Sequence, residues 1–242
     1  MIVYKAENKE DAGRIVGNIL SAQIVTKPES VLGLATGSTP ETAYERMVKL
    51  YEQGDVDYSK VKTVNLDEYK GLSGDDSRSY RFFMNEKLFN RVNIDKSNTY
   101  LPDGTESDSE TACTDYDAII EGLGGIDIQL LGLGCNGHIG FNEPAEYFSL
   151  STQCVDLAES TISANSRFFS GADEVPRQAY TMGIGTIMRA ERVLLMVTGE
   201  NKRDILVRAL NGEVTPRLPA SILRFHKNLI LVGDKDALGE NF

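Results

Sequence analysis

A chain of 242 residues is long enough for one sizeable α/β core, and its 41% hydrophobic and 25% charged residues are those of an ordinary globular protein. The formal net charge of -11 excludes a general nucleic-acid binder, which needs a cationic surface to displace counterions from phosphates. No apolar run is long enough to span a membrane, and the opening MIVYKAENKED mixes charges without an apolar signal core, so a cytoplasmic protein with no membrane partner is expected.

Short, partly β-branched apolar runs alternate with amphipathic stretches along the chain. In order, the pattern predicts a strand at 1–4, a helix at 8–26, a strand at 30–35, a helix at 40–53 and a strand at 61–66. It continues with helices at 77–90 and 113–122, strands at 126–133 and 193–198, a helix at 199–210 and a strand at 228–232. Such alternation implies a parallel sheet covered on both faces by helices, here in a single domain over 1–242. Cys113, Cys135 and Cys154 have neither a CxxC nor a His/Cys ligand spacing, so neither a disulfide framework nor a zinc site is expected.

Ligands of parallel sheets bind beyond the carboxyl ends of the strands, and three motifs fall there. In LATGSTP, Thr36, Gly37, Ser38 and Thr39 lead into a helix start whose free N–H groups favour an anion; the turn is either a phosphate cradle or a plain helix entry capped by Thr39. In NLDEY, Asp67 and Glu68 end an apolar strand, where a carboxylate either serves as a general base or solvates a turn. In LGLGCNGHIGFNEP, Gly132, Gly134 and Gly137 have dinucleotide-motif spacing, but the motif lies mid-chain and Pro144 forbids the helix that should follow. His138 in that loop is of the residue type that suits a proton shuttle, with Glu143 placed to orient it. His226, in LRFHKNL, reads as a packing residue.

Taken together, LATGSTP, NLDEY, GCNGHIGFNEP, ANSRFF and GENK, in that order over nearly the whole chain, resemble the glucosamine-6-phosphate deaminase family. The resemblance implies a Rossmann-like parallel sheet of the type shared with ribose-5-phosphate isomerase and 6-phosphogluconolactonase. It also implies conversion of glucosamine 6-phosphate and water to fructose 6-phosphate and ammonia, with no metal or organic cofactor. Asp67 matches the family's general base, which moves a proton between carbon 2 and carbon 1 through a cis-enediol-type intermediate. His138 matches the group that opens the sugar ring, and Glu143 the carboxylate that orients it. Thr36 to Thr39 match the phosphate loop, with Arg167 of ANSRFF and Lys202 of GENK as its cations.

Many members carry aspartate where this chain has Asn136, which can hydrogen-bond the ring and fix its tautomer but cannot stabilise imidazolium by charge. The rivals are a 6-phosphogluconolactonase-like hydrolase, which needs no carbon base, and a sugar-phosphate sensor, which carries an added DNA-binding segment. Larger allosteric members bind a phosphorylated effector with basic side chains soon after FNEP and with a longer carboxyl-terminal tail. Residues 145–159 here hold no lysine or arginine and the chain stops at 242, so a non-allosteric monomer is expected.

Overall fold

The computed structural model describes every residue except Arg167, Phe168 and Ser170. Its strands are β1 (Ile2–Ala6), β2 (Val31–Leu34), β3 (Lys62–Asn65), β4 (Asp67–Tyr69), β5 (Thr99–Tyr100), β6 (Ile128–Leu131), β7 (Gln153–Asp156), β8 (Gln178–Thr181), β9 (Val193–Val197) and β10 (Leu229–Asp234). Its helices are α1 (Lys9–Thr26), α2 (Glu41–Glu52), α3 (Tyr80–Lys87), α4 (Ser109–Gly122), α5 (Glu159–Asn165), α6 (Ile184–Arg189), α7 (Arg203–Asn211) and α8 (Lys235–Leu238).

The main sheet has seven strands in the order β1-β10-β9-β6-β2-β3-β5, and every pairing in it is parallel. Strands covered on both faces are largely apolar, and all residues of β6 and β9 are buried, with Gln129 the one polar side chain among them. The chain first builds outward from β2 to β3 and β5, then returns to lay β6 on the other side of β2. That reversal opens a crevice at the carboxyl ends of β2 and β6.

The six predicted strands are all present, and the differences from the expected pattern have local causes. The helix expected at 77–90 starts at Tyr80, because the Ser79 hydroxyl accepts from the Phe82 N–H and caps it; beyond Lys87 the chain tightens into a 3-10 turn at Phe89–Arg91. The helix expected from 113 starts at Ser109, where the Asp108 side chain accepts from the Glu110 N–H. Thr39 does not cap α2: the residue before Glu41 is Pro40, and no side chain caps that end.

The larger difference lies at NLDEY. Leu66 donates its N–H to the Leu34 carbonyl and accepts from the Met182 N–H, so the chain changes partners there. Asp67 to Tyr69 are thereby drawn into a second, antiparallel sheet, β4-β8-β7, which alternation with helices does not announce. A small apolar cluster backs that sheet, with Tyr69, Phe141, Leu157, Ile162, Val175 and Ala179 buried in it.

Candidate active site

The crevice between β2 and β6 deepens into a cleft of about 430 Å³. Thr36 to Thr39, Asp67, Asn136, His138 and Lys202 all line it, as do Leu66, Tyr80, Cys135, Phe141 and Thr161. Three loops separated by some thirty to ninety residues thus meet because their parent strands end at one edge of one sheet. Glu143 joins them through contacts with three of the lining side chains. The expectation for Arg167 falls outside the described residues.

The 36–39 turn follows β2 directly. Gly37 has a φ of 90°, the left-handed region that glycine enters without strain, and a side chain there would meet open cleft rather than protein. The turn therefore presents backbone to the cleft. Lys202 arrives from the opposite side, on a 3-10 turn of Glu200–Lys202 between β9 and α7. The Asp234 carboxylate accepts from the Gly199 N–H at 3.0 Å and fixes that turn, and Lys202 Nζ donates to Cys135 Sγ at 3.1 Å.

Asp67 and Glu68 sit side by side on β4 in different surroundings. Glu68 accepts from the N–H groups of Tyr69, Tyr80 and Arg81 at 2.8–2.9 Å and so closes the amino end of α3. Burial nevertheless pushes it up to about 7, against the three donors that favour its ionised form. Asp67 faces the cleft and accepts from no described donor. Burial first, and then the Glu68 charge, raise it to about 8. Beside it the Tyr80 ring lies parallel to Phe141, with centroids 6.0 Å apart, and the Tyr80 hydroxyl is 3.3 Å from that of Tyr69.

Across the cleft, the glycine loop is shaped around a histidine and not around a dinucleotide. A Cβ on Gly134 would fall 2.4 Å from two atoms of the His138 ring, so the ring lies directly on the glycine backbone. Glu143 follows on a tight turn that Asn142 pins, since its amide donates to the carbonyls of Ile139 and Met182, both at 2.9 Å. Glu143 Oε1 lies 3.3 Å from His138 Nδ1, which is buried and has no aligned hydrogen-bond partner among the described residues.

Asn136 departs from its expected part. Its amide donates to Glu143 Oε2 at 2.5 Å and its carbonyl accepts from the His138 backbone N–H at 3.2 Å, so it acts on the carboxylate and the loop and not on the ring. Burial alone would raise Glu143. The imidazole, the Thr161 hydroxyl and the Asn136 amide together outweigh it and hold Glu143 down to about 2.

Sequence reading missed Tyr80, Thr161 and the electrostatic part of Glu68. Only Glu68 had a signal, as the second acid of NLDEY; the other two arrive from helices whose positions depend on the second sheet.

A perturbed carboxyl and a histidine–carboxylate pair converge at the switch point of a parallel sheet, which places this chain in the class of Rossmann-like α/β proteins with an acid–base cleft. Residues 5–231 match the family model of glucosamine-6-phosphate isomerases/6-phosphogluconolactonase, and the chain belongs to that family. It is 49% identical to a glucosamine-6-phosphate deaminase of Clostridium perfringens over 98% of each chain. It superposes on the solved structure of a monomeric glucosamine-6-phosphate deaminase with a TM-score of 0.95 at 41% identity, covering 98% of each chain. A 6-phosphogluconolactonase of Thermotoga maritima shares the fold at a TM-score of 0.74 and 22% identity, over 97% of this chain and 99% of that one.

Proposed function

We propose that this protein is a glucosamine-6-phosphate deaminase working as a single domain and a monomer, with glucosamine 6-phosphate and water giving fructose 6-phosphate and ammonia. The likeness to deaminases over the full length supports the activity, and the monomeric deaminase of matching fold supports the oligomeric state. The observation that carries the chemistry is Asp67: a carboxyl raised to about 8, facing the cleft and free of described donors, is suited to take a proton from carbon and return it. Among the described residues no helix is long and apolar enough to cross a membrane, in keeping with a cytoplasmic enzyme.

The positions of these residues in the cleft support the following steps. His138, on the Glu143 side, takes the proton of the anomeric hydroxyl and delivers one to the ring oxygen, which opens the sugar. Asp67 then removes the carbon 2 proton and returns it to carbon 1, turning the amino aldose into a ketose imine. Water adds to that imine, and its collapse to the ketone expels ammonia. The reaction is thus an isomerisation coupled to hydrolytic loss of nitrogen. The backbone at Thr36 to Thr39, Lys202 and Arg167 bind the phosphate, local donors that a chain of net charge -11 needs in order to hold a dianion.

The test is release of both ammonia and fructose 6-phosphate from glucosamine 6-phosphate, with 6-phosphogluconolactone as the competing substrate. Equal yields of the two products, with no lactone hydrolysis, are expected; lactone hydrolysis without ammonia would overturn the reading. Hyperbolic rates and a monomer mass by light scattering are expected beside it, and sigmoidal rates or a hexamer would count against the monomer.

A further inference from the structure

Glu143 is held by two side chains besides the histidine, and they come from different places. Asn136 holds Oε2 from within the loop that also carries His138. The Thr161 hydroxyl donates to Oε1 at 2.5 Å, and Oε1 is the oxygen that faces His138 Nδ1 at 3.3 Å. Thr161 is 6% exposed and lies on α5, so among the described side chains it is the one hydrogen-bond donor to this carboxylate from outside the 134–144 loop. Its neighbour Ile162 is 2% exposed in the cluster that also buries Phe141, two residues before Glu143. One apolar cluster therefore seats both the helix that carries the hydroxyl and the turn that carries the carboxylate.

A carboxylate gripped at one oxygen by its own loop is held against rotation about its Cγ–Cδ bond by that single hydrogen bond. A second donor on the other oxygen fixes its plane. We propose that Thr161 is a positioning residue for ring opening: its hydroxyl holds the Glu143 oxygen toward His138, so that the pair is aligned only when α5 is seated. Thr161 touches no reacting atom in this scheme and acts through Glu143. The inference rests on the deaminase reading, since it concerns the step that opens the sugar ring. A hydrogen bond to a charged group is strong enough to matter, and its loss leaves the carboxylate with the Asn136 donor on Oε2 and nothing from α5 to hold Oε1 toward the imidazole.

The test compares the wild type with Thr161→Val, which keeps shape and removes the donor, and Thr161→Ser, which keeps the donor. Three quantities are read: kcat/KM on glucosamine 6-phosphate, the affinity for 2-amino-2-deoxyglucitol 6-phosphate, which has no ring to open, and the ring-nitrogen NMR signals of the two histidines. Thr161→Val is expected to lose about tenfold or more in kcat/KM, to shift the His138 signals while leaving those of His226 in place, and to bind the open-chain compound as the wild type does. Thr161→Ser is expected to restore both rate and signals. The proposal is overturned if Thr161→Val keeps wild-type rates and His138 signals, if Thr161→Ser is equally impaired, or if open-chain binding falls in step with rate. A wild type that releases no ammonia would instead refute the deaminase reading.

Discussion

Asp67 and Glu68 are consecutive residues of β4, yet Glu68 accepts three backbone N–H groups while no described donor reaches Asp67. Alternation along a strand sends one carboxyl to the amino end of α3 and the other into the cleft. The Glu68 charge is thereby fixed in place, and it opposes ionisation of its neighbour.

Asp67→Asn should abolish most turnover while leaving substrate binding, because the amide keeps the shape but cannot accept the carbon 2 proton. It should also stabilise the protein. A carboxyl whose folded pKa lies at about 8 against a model value of 3.8 favours the folded state in its neutral form, so its burial costs stability progressively as pH rises between those values. At neutral pH the variant should gain at least about 1 kcal/mol, or about 2–4 °C in melting temperature. The gain should vanish at acid pH. Melting curves at both pH values decide it, and a variant melting below wild type at neutral pH would contradict the burial argument.

The same pair predicts the pH profile. The profile of kcat/KM should rise with pH through the region near 8, where Asp67 ionises in the free enzyme. In the kcat profile the limb should lie lower, since the bound substrate brings an ammonium beside the carboxylate. Glu68→Gln removes the repelling charge and should move the kcat/KM limb to lower pH, at some cost to the start of α3. A limb that does not move in that variant would show that Glu68 does not set the base.

Gly134→Ala tests the shape of the loop. A methyl at that position would sit 2.4 Å from the His138 ring, so the ring must leave its place over the backbone. Turnover should fall by two orders of magnitude or so, the usual worth of a positioned acid–base group. The melting temperature should change little if the ring simply swings into the cleft. Retained activity would mean that His138 is not held by this packing.

Lys202→Ala should raise KM for glucosamine 6-phosphate by about tenfold or more, the loss of one charge-assisted phosphate contact, with kcat less affected. Arg167→Ala should act in the same direction. Measurement with inorganic phosphate as a competitive inhibitor gives a second reading, because its inhibition should weaken in parallel. Unchanged KM and phosphate inhibition in both variants would remove these residues from the phosphate site.

Much of this architecture could be read in the sequence because it is written locally. The parallel sheet shows in largely apolar runs such as those of β6 and β9, whose every residue is buried, and the helices show in their apolar period, while the caps at Ser79 and Asp108 that set two of the helix starts are hydrogen bonds which that period does not mark. The carboxyl-end rule then brings LATGSTP, NLDEY and the histidine loop to one edge without any knowledge of contacts. What the tertiary structure alone decided is what each of those residues meets there. The second sheet exists because Leu66 changes partners to Met182, a pairing across more than a hundred residues that no local period encodes. From that one switch follow the direction of Asp67 into the cleft and of Glu68 away from it. The turn of Asn136 toward Glu143, not the ring, and the arrival of Thr161 from α5 are settled in the same way. Charge and hydrogen bonding at a site depend on distance in space, and the sequence specifies that only through the whole fold.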